Sequence, residues 1–212
     1  MKATTIPAFL RWFYPSLLWQ MPSGKRRIYL TFDDGPHPQV TPRVLDLLAK
    51  YDAKATFFCV ADNVRKHPEI YQSILGVGHL TGNHGMNHLN GWKTPLNTYY
   101  ENIVAARQYI DSELFRPPYG RITPSQIQAL KKEFTIVMWT ILSYDFDRET
   151  RIEQCTANVL NNLEDGAIIV FHDSLKAEHN MLPTLEATLK QAQQQGFGFG
   201  LLDEEKNLSG QS

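Results

Sequence analysis

The chain has 212 residues, 42% of them apolar, which is enough for a substantial core in one domain. Its 21 Lys and Arg against 22 Asp and Glu leave a formal net charge of −1, excluding the broad basic field that nucleic acid or an anionic membrane surface would need. Two cysteines, Cys59 and Cys155, build no disulfide framework and read as small buried hydrophobes, and no run of about 18 apolar residues reads as a spanning helix.

Residues 1–24 form an aromatic arm carrying Phe9, Trp12, Phe13, Tyr14 and Trp19, interrupted by Pro7, Arg11 and Pro15. The arm lacks the clean apolar stretch and small-residue cleavage site of a signal peptide. It reads as packed on the domain, with a peripheral membrane or partner contact as the alternative. Residues 25–205 read as a single domain and 206–212 as a flexible tail. Within the domain, apolar runs at Ile28–Phe32, Ala55–Val60, Leu114–Arg116, Thr135–Trp139, Ala167–Phe171 and Phe197–Leu202 have the near-continuous character of parallel strands buried on both faces. Helices fall between them. Thr41-Pro42 and Thr123-Pro124 each supply an N-cap and an N1 proline, and Thr150 with Glu153 resembles a capping box. Pro183 opens a last helix that Gly196 stops. Strands alternating with helices predict right-handed βαβ units and a parallel sheet, open or closed into a barrel.

The chemically interesting residues sit just after strand-like runs, where parallel α/β folds gather their sites. Asp33-Asp34, at a strand tip before Gly35-Pro36, are two like charges that need a cation or a proton between them. His84 and His88 stand at i and i+4, a spacing that on a helical turn puts both imidazoles on one face, and their Gly- and Asn-rich flanks read as a tight loop-to-helix turn rather than a long helix. Two neutral imidazoles and a carboxylate suit zinc and similar divalent metals and leave a position open for water. In Arg116-Pro117-Pro118-Tyr119-Gly120 two prolines stiffen the loop, so the Tyr119 N–H can point at a ligand, and Arg116 can hold a carboxylate in its fork. Asp145 leaves one further strand tip and His172 another. Each feature alone has a bland structural reading as a solvated turn, an ion pair or a core histidine. Trp92 and Trp139 read equally as core residues or as platforms for a sugar ring.

Taken together, these segments resemble the polysaccharide deacetylase family of the NodB-homology type, carbohydrate esterase family 4. Thr31-Phe32-Asp33-Asp34-Gly35-Pro36, His84 to His88 and Arg116-Pro117-Pro118-Tyr119-Gly120 match its first three motifs, and Asp145 and His172 fall where the fourth and fifth are expected. The resemblance implies an α/β, TIM-barrel-like distorted (β/α) barrel of about seven parallel strands. It implies a divalent metal, zinc foremost with cobalt, nickel or manganese as alternatives, on Asp34, His84 and His88. Asp33 would be the general base, oriented by Arg116; the Tyr119 N–H would help form the oxyanion hole; His172 would be the general acid, tuned by Asp145.

The expected activity is removal of N-acetyl groups from amino sugars of a glycan such as peptidoglycan or a chitin-like oligomer. An O-acetyl esterase and a non-catalytic glycan-binding member are the alternatives. The expected partner is the N-acetylated glycan, with no nucleic acid and a monomeric chain. The compartment stays open, because such substrates lie outside the cytoplasm while no export signal is legible. Three residues depart from the family pattern: Gly85 for Ser or Thr, Phe146 for Trp and Val170 for Leu. None removes a catalytic group.

Overall fold

The computed structural model describes residues 4–5 and 8–202; the expected tail at 206–212 lies outside them. The strands are β1 (Arg27–Asp33), β2 (Ala55–Cys59), β3 (Leu80–Asn83), β4 (Leu114–Phe115), β5 (Thr135–Ile136), β6 (Ile141–Leu142), β7 (Ile168–His172) and β8 (Gly198–Phe199). The helices are α1 (Ala8–Phe13), α2 (Thr41–Lys50), α3 (Ala61–Lys66), α4 (Pro68–Gly76), α5 (Leu96–Ala105), α6 (Pro124–Leu130), α7 (Ile152–Leu160) and α8 (Glu178–Gln194). All strand pairs are parallel, in the order β5-β4-β3-β2-β1-β7-β6, with β8 beside the start of β1. The sheet curls into a half-barrel, the distorted α/β barrel that the motifs imply.

The two ends of the sheet, β5 and β6, do not pair with each other. Part of the N-terminal segment runs along that seam instead. Leu18 bridges Val137, donating to the Ile136 carbonyl at 2.9 Å and accepting from the Met138 N–H at 2.7 Å, and Thr5 bridges Ile141. Leu17 and Trp19 are buried there, whereas Trp12 and Phe13 are exposed. The run expected at Thr135–Trp139 is a strand only over Thr135–Ile136: Val137 still donates to Phe115 of β4 at 2.8 Å, and Met138 turns to Leu18 of the N-terminal segment. Two strands escaped the sequence reading. β3 is short and polar, and β6 is a two-residue strand directly after the expected run.

Side chains on β1 separate by the period of two that any strand imposes. Ile28, Leu30 and Phe32 enter the large core beneath the helices, with Phe57 and Cys59 of β2 and Ile169 and Phe171 of β7. Tyr29, Thr31 and Asp33 face the barrel interior, as do Phe58, Ile168, Val170 and His172. Both cysteines are buried and neither forms a disulfide.

Three expected helix starts shift. Thr123 does cap α6, in a full capping box with Gln126. Thr41 lies inside α2, where its hydroxyl donates to the Asp173 carboxylate at 2.5 Å instead of capping. Thr150 precedes the N-cap Arg151 of α7 and donates to Asp147 at 2.5 Å, so no capping box forms with Glu153. Pro183 lies within α8, which starts at Glu178. Gly196, at φ +75°, follows the helix end as expected.

Candidate metal and catalytic site

Asp33 and Asp34 are adjacent, yet the backbone sends them to different partners. Asp33, the last residue of β1, continues the inward face begun by Tyr29 and Thr31. Asp34 has φ +81°, a left-handed conformation that Asp tolerates better than most residues, and this swings its carboxylate toward the histidines. Its Oδ1 lies 3.1 Å from His88 Nε2 and 3.8 Å from His84 Nε2. One ligand atom from each of the three residues lies within 4.8 Å of the others. The chemistry of this donor set fits a divalent transition metal.

The two histidines are not on a helical turn, contrary to the reading of their spacing. His84 leaves β3 in extended chain, Gly85 has φ +80° and His88 φ +55°, so a tight loop returns the second imidazole to the first, ring centroids 4.9 Å apart. Two amides that the motif reading passed over hold this loop. The Asn83 side chain accepts from the Gly85 N–H at 2.7 Å, and the Asn102 side chain accepts from the Met86 N–H at 3.0 Å. A Cβ on Gly85 would stand 3.1 Å from Asn102 Oδ1, in a backbone region costly for other residues. Glycine there answers to loop geometry.

His84 is fully enclosed, and burial pushes its pKa down to about 4, so the ring is neutral. Its Nδ1 lies 2.8 Å from the Arg116 carbonyl oxygen. A carbonyl only accepts, so Nδ1 carries the proton and Nε2 is the bare nitrogen facing Asp34. Burial alone would raise the Asp34 pKa; the hydrogen bond with His88 and the neighbouring imidazoles outweigh it and hold the carboxyl well below the usual carboxylate range.

Arg116, wholly buried, joins the strands beneath the site. One guanidinium nitrogen donates to Asp33 Oδ1 and to the Thr31 hydroxyl, each at 2.7 Å, and the other donates to the Met138 carbonyl at 3.0 Å. Its plane lies 4.1 Å above the centroid of Phe58. Phe58 fits there because its neighbour on β3 is Gly82, where a Cβ would come within 2.5 Å of the ring. Thr31 and Phe58 were not singled out as site residues, although both lie on the inward face that Asp33 defines.

His172 is the register partner of Asp33 on β7. The buried Asp145 receives its backbone N–H at 2.8 Å and pairs with its Nδ1 at 2.8 Å. Burial alone would lower the His172 pKa, but the Asp145 charge and hydrogen bond, with help from Asp34 and Asp33, raise it to about 9. Stability from protonated His172 is therefore fully present below pH 6.5 and is lost as pH rises through about 9. Replacing Asp145 by Asn removes the charge and is expected to lower the His172 pKa by about one to three units. An NMR titration of the ring reads this directly, and an unmoved titration would refute the assignment of Asp145 as the tuning group.

Asp173, next in sequence, has a role the motif reading did not give it. Its carboxylate accepts from the Gly35 N–H at 3.1 Å and from Thr41, tying the Asp34 turn to α2. Burial, reinforced by Asp34 and opposed by the Thr41 hydrogen bond, pushes its pKa up to about 8.

Tyr119 has φ +61° between Pro118 and Gly120, and its exposed ring stands edge-on to His88 with centroids 4.6 Å apart. Asp33, Asp34, His84, His88 and His172 line one recess of about 160 Å³, walled by Tyr119, Gly120, Trp139, Leu142, Phe146 and Val170. Phe146 packs edge-on against His172 at 4.8 Å. Trp139 is half-buried, serving both the core and this wall. The arrangement places a buried carboxylate and a protonated imidazole on neighbouring strands beside three candidate metal donors. Of the unassigned histidines, His79 is a buried core residue accepting from the Ala55 N–H at 3.2 Å, and His37 lies outside the recess.

Comparison with known proteins identifies the family of the chain. Residues 20–135 match the family model described as polysaccharide deacetylase. A peptidoglycan-N-acetylglucosamine deacetylase of Bacillus cereus is 31% identical over 193 residues, covering 88% of this chain and 91% of that protein. The peptidoglycan-N-acetylglucosamine deacetylase PgdA of Listeria monocytogenes is 32% identical over 87% of this chain, which spans only 40% of that longer protein. Among solved structures, the Bc1960 peptidoglycan N-acetylglucosamine deacetylase in complex with an N-hydroxybenzamide superposes with a TM-score of 0.85 at 29% identity, covering 94% of this chain and 96% of that one.

Proposed function

Since the chain belongs to the polysaccharide deacetylase family (NodB-homology type, carbohydrate esterase family 4), we propose that it is a metal-dependent hydrolase removing N-acetyl groups from amino sugars of a glycan of the peptidoglycan type. The observation that carries this reading is the pairing of Asp33 with His172 as register partners across β1 and β7, with Asp34, His84 and His88 beside them in one recess.

Asp34, His84 and His88 would hold the ion. Bound there, a divalent metal supplies Lewis-acid polarisation of the acetyl carbonyl and acidifies a water. Asp33, oriented by the hydrogen bond from Arg116, takes the proton from the attacking water. The Tyr119 N–H donates to the oxygen on which charge develops, a contribution of about 3 kcal/mol for one fixed donor. An amine is a poor leaving group, so it needs a proton, and His172 provides it from the ring nitrogen opposite Asp145. Leu142, Phe146, Trp139 and Val170 form the apolar wall that receives the acetyl methyl.

The test is acetate release from defined N-acetylated glycan oligomers, with acetylxylan as the O-acetyl comparison. Chelation is expected to abolish release and added zinc to restore it. His84→Ala is expected to lower zinc content and reduce acetate release by at least about 100-fold. Faster release from acetylxylan than from every N-acetylated oligomer would make the enzyme an O-acetyl esterase. Full activity after complete chelation would refute the metal assignment.

A further inference from the structure

Beyond the recess, a second feature of this face has no role in the mechanism. Trp92 is 65% exposed, yet its ring is held in place. Its Nε1–H donates to the Ile122 carbonyl at 3.2 Å, its backbone N–H donates to the Asn90 side chain at 3.1 Å, and the Arg121 guanidinium lies 5.2 Å from the ring centroid. The two loops that carry Trp92 and Arg121 are one packed block. A Cβ on Gly91 would come within 2.3 Å of the Arg121 carbonyl, and the Gln126 amide donates across to the Gly91 and Thr94 carbonyls at 2.9 and 3.1 Å.

The block follows two walls of the recess along the chain. Trp92 stands four residues after His88, and Arg121 two after Tyr119, whose ring meets His88. An exposed aromatic ring that is already immobilised loses little entropy when a flat apolar face lands on it. Arg121 adds a charge. Among the described residues it forms no ion pair, and its guanidinium lies over the indole. On another wall of the recess Lys176, 5.5 Å from the Phe146 centroid, likewise has no carboxylate partner among the described residues. Among the described residues, neither cation has a carboxylate partner.

We propose that Trp92 and Arg121 form a subsite for a neighbouring sugar ring of the glycan, the indole stacking on the ring and the guanidinium pairing with a carboxylate that the ring carries. The ligand class is an acidic amino-sugar glycan, in which a carboxylate-bearing ring sits beside the acetamido sugar, in preference to a neutral N-acetylglucosamine homopolymer. The proposal rests on the deacetylase reading and narrows its substrate.

The test uses the full zinc-loaded chain and three probes: N-acetylchitobiose, N-acetylchitotetraose, and a peptide-free peptidoglycan tetrasaccharide bearing free lactyl carboxylates. Trp92→Ala is expected to lower the ratio of chitotetraose to chitobiose kcat/KM by about tenfold, mainly through KM. Arg121→Gln is expected to lower the ratio of acidic to neutral tetrasaccharide activity by about fivefold at low salt, and added salt should shrink the same preference in the unmodified chain. Ratios within twofold of the unmodified chain for both variants would overturn the subsite. If the unmodified chain releases no acetate from any probe, the deacetylase reading fails. Calorimetric titration with the two tetrasaccharides then decides the subsite alone: weaker binding by both variants upholds it, and equal binding overturns it. Should Trp92→Ala misfold by circular dichroism, Arg121→Gln carries the decision.

Discussion

Asp33→Asn is expected to reduce acetate release by about 1000-fold while leaving zinc affinity within a few-fold of the original chain. The two halves of this expectation come from one geometric fact. Asp33 faces Arg116 and Thr31 on the inner side of β1, whereas the left-handed residue Asp34 faces the histidines. Asparagine keeps the shape and still accepts from Arg116, but it takes no proton from water. Kinetics of acetate release alongside calorimetric zinc titration checks both halves. Activity within tenfold of the original would remove Asp33 from the role of base, and loss of zinc binding would make it a ligand.

The second large effect concerns stability. Arg116→Met is expected to cost about 3–5 kcal/mol of unfolding free energy, because it strands the Asp33 carboxylate in a buried site without its guanidinium partner. The Arg116 and Asp33 side chains are 0% and 7% exposed, so water cannot take over the lost partner. The Thr31 hydroxyl and the Met138 carbonyl lose their donor in the same step. Urea denaturation measures the cost. The double variant Asp33→Asn/Arg116→Met should recover part of it, since removing both charges leaves none unpaired. A single-variant cost below about 1 kcal/mol, or strict additivity in the double variant, would show that the pair is not coupled in this way.

Much of the candidate site was legible in the chain because its chemistry is carried by short segments. Asp33-Asp34, the Arg116-Pro117-Pro118 loop and His172 each follow an apolar run, and in a parallel sheet such runs all end at the same edge. The candidate metal donors were legible as residue types and their flanks as a tight loop, but the helical turn expected with that loop is absent. The i, i+4 spacing of His84 and His88 suggested a helical turn. The real device is a loop with left-handed residues at Gly85 and His88, held by Asn83 and Asn102, and no periodic pattern announces that.

Helix starts show a similar division. Thr123 caps where its local sequence says it should, since a capping box is satisfied within four residues. Thr41 and Thr150 carry the same local signal and do not cap. Their hydroxyls bond to Asp173 and Asp147, and for Thr41 the competitor is 132 residues away in sequence.

By itself the sequence determined the alternation of buried strands and helices, and it named the candidates for metal donors, base and acid. These depend on local periodicity and residue chemistry, which the chain carries wherever it folds. Only the tertiary structure decided how the sheet ends, with part of the N-terminal segment bonded into the seam between β5 and β6. It alone decided that Asp33 and His172 stand in register, that Arg116 is buried over Phe58 because Gly82 leaves the space, and that Trp92 is held exposed beside Arg121. Each of these depends on contacts between segments far apart in the chain, whose mutual placement follows from packing the whole sheet.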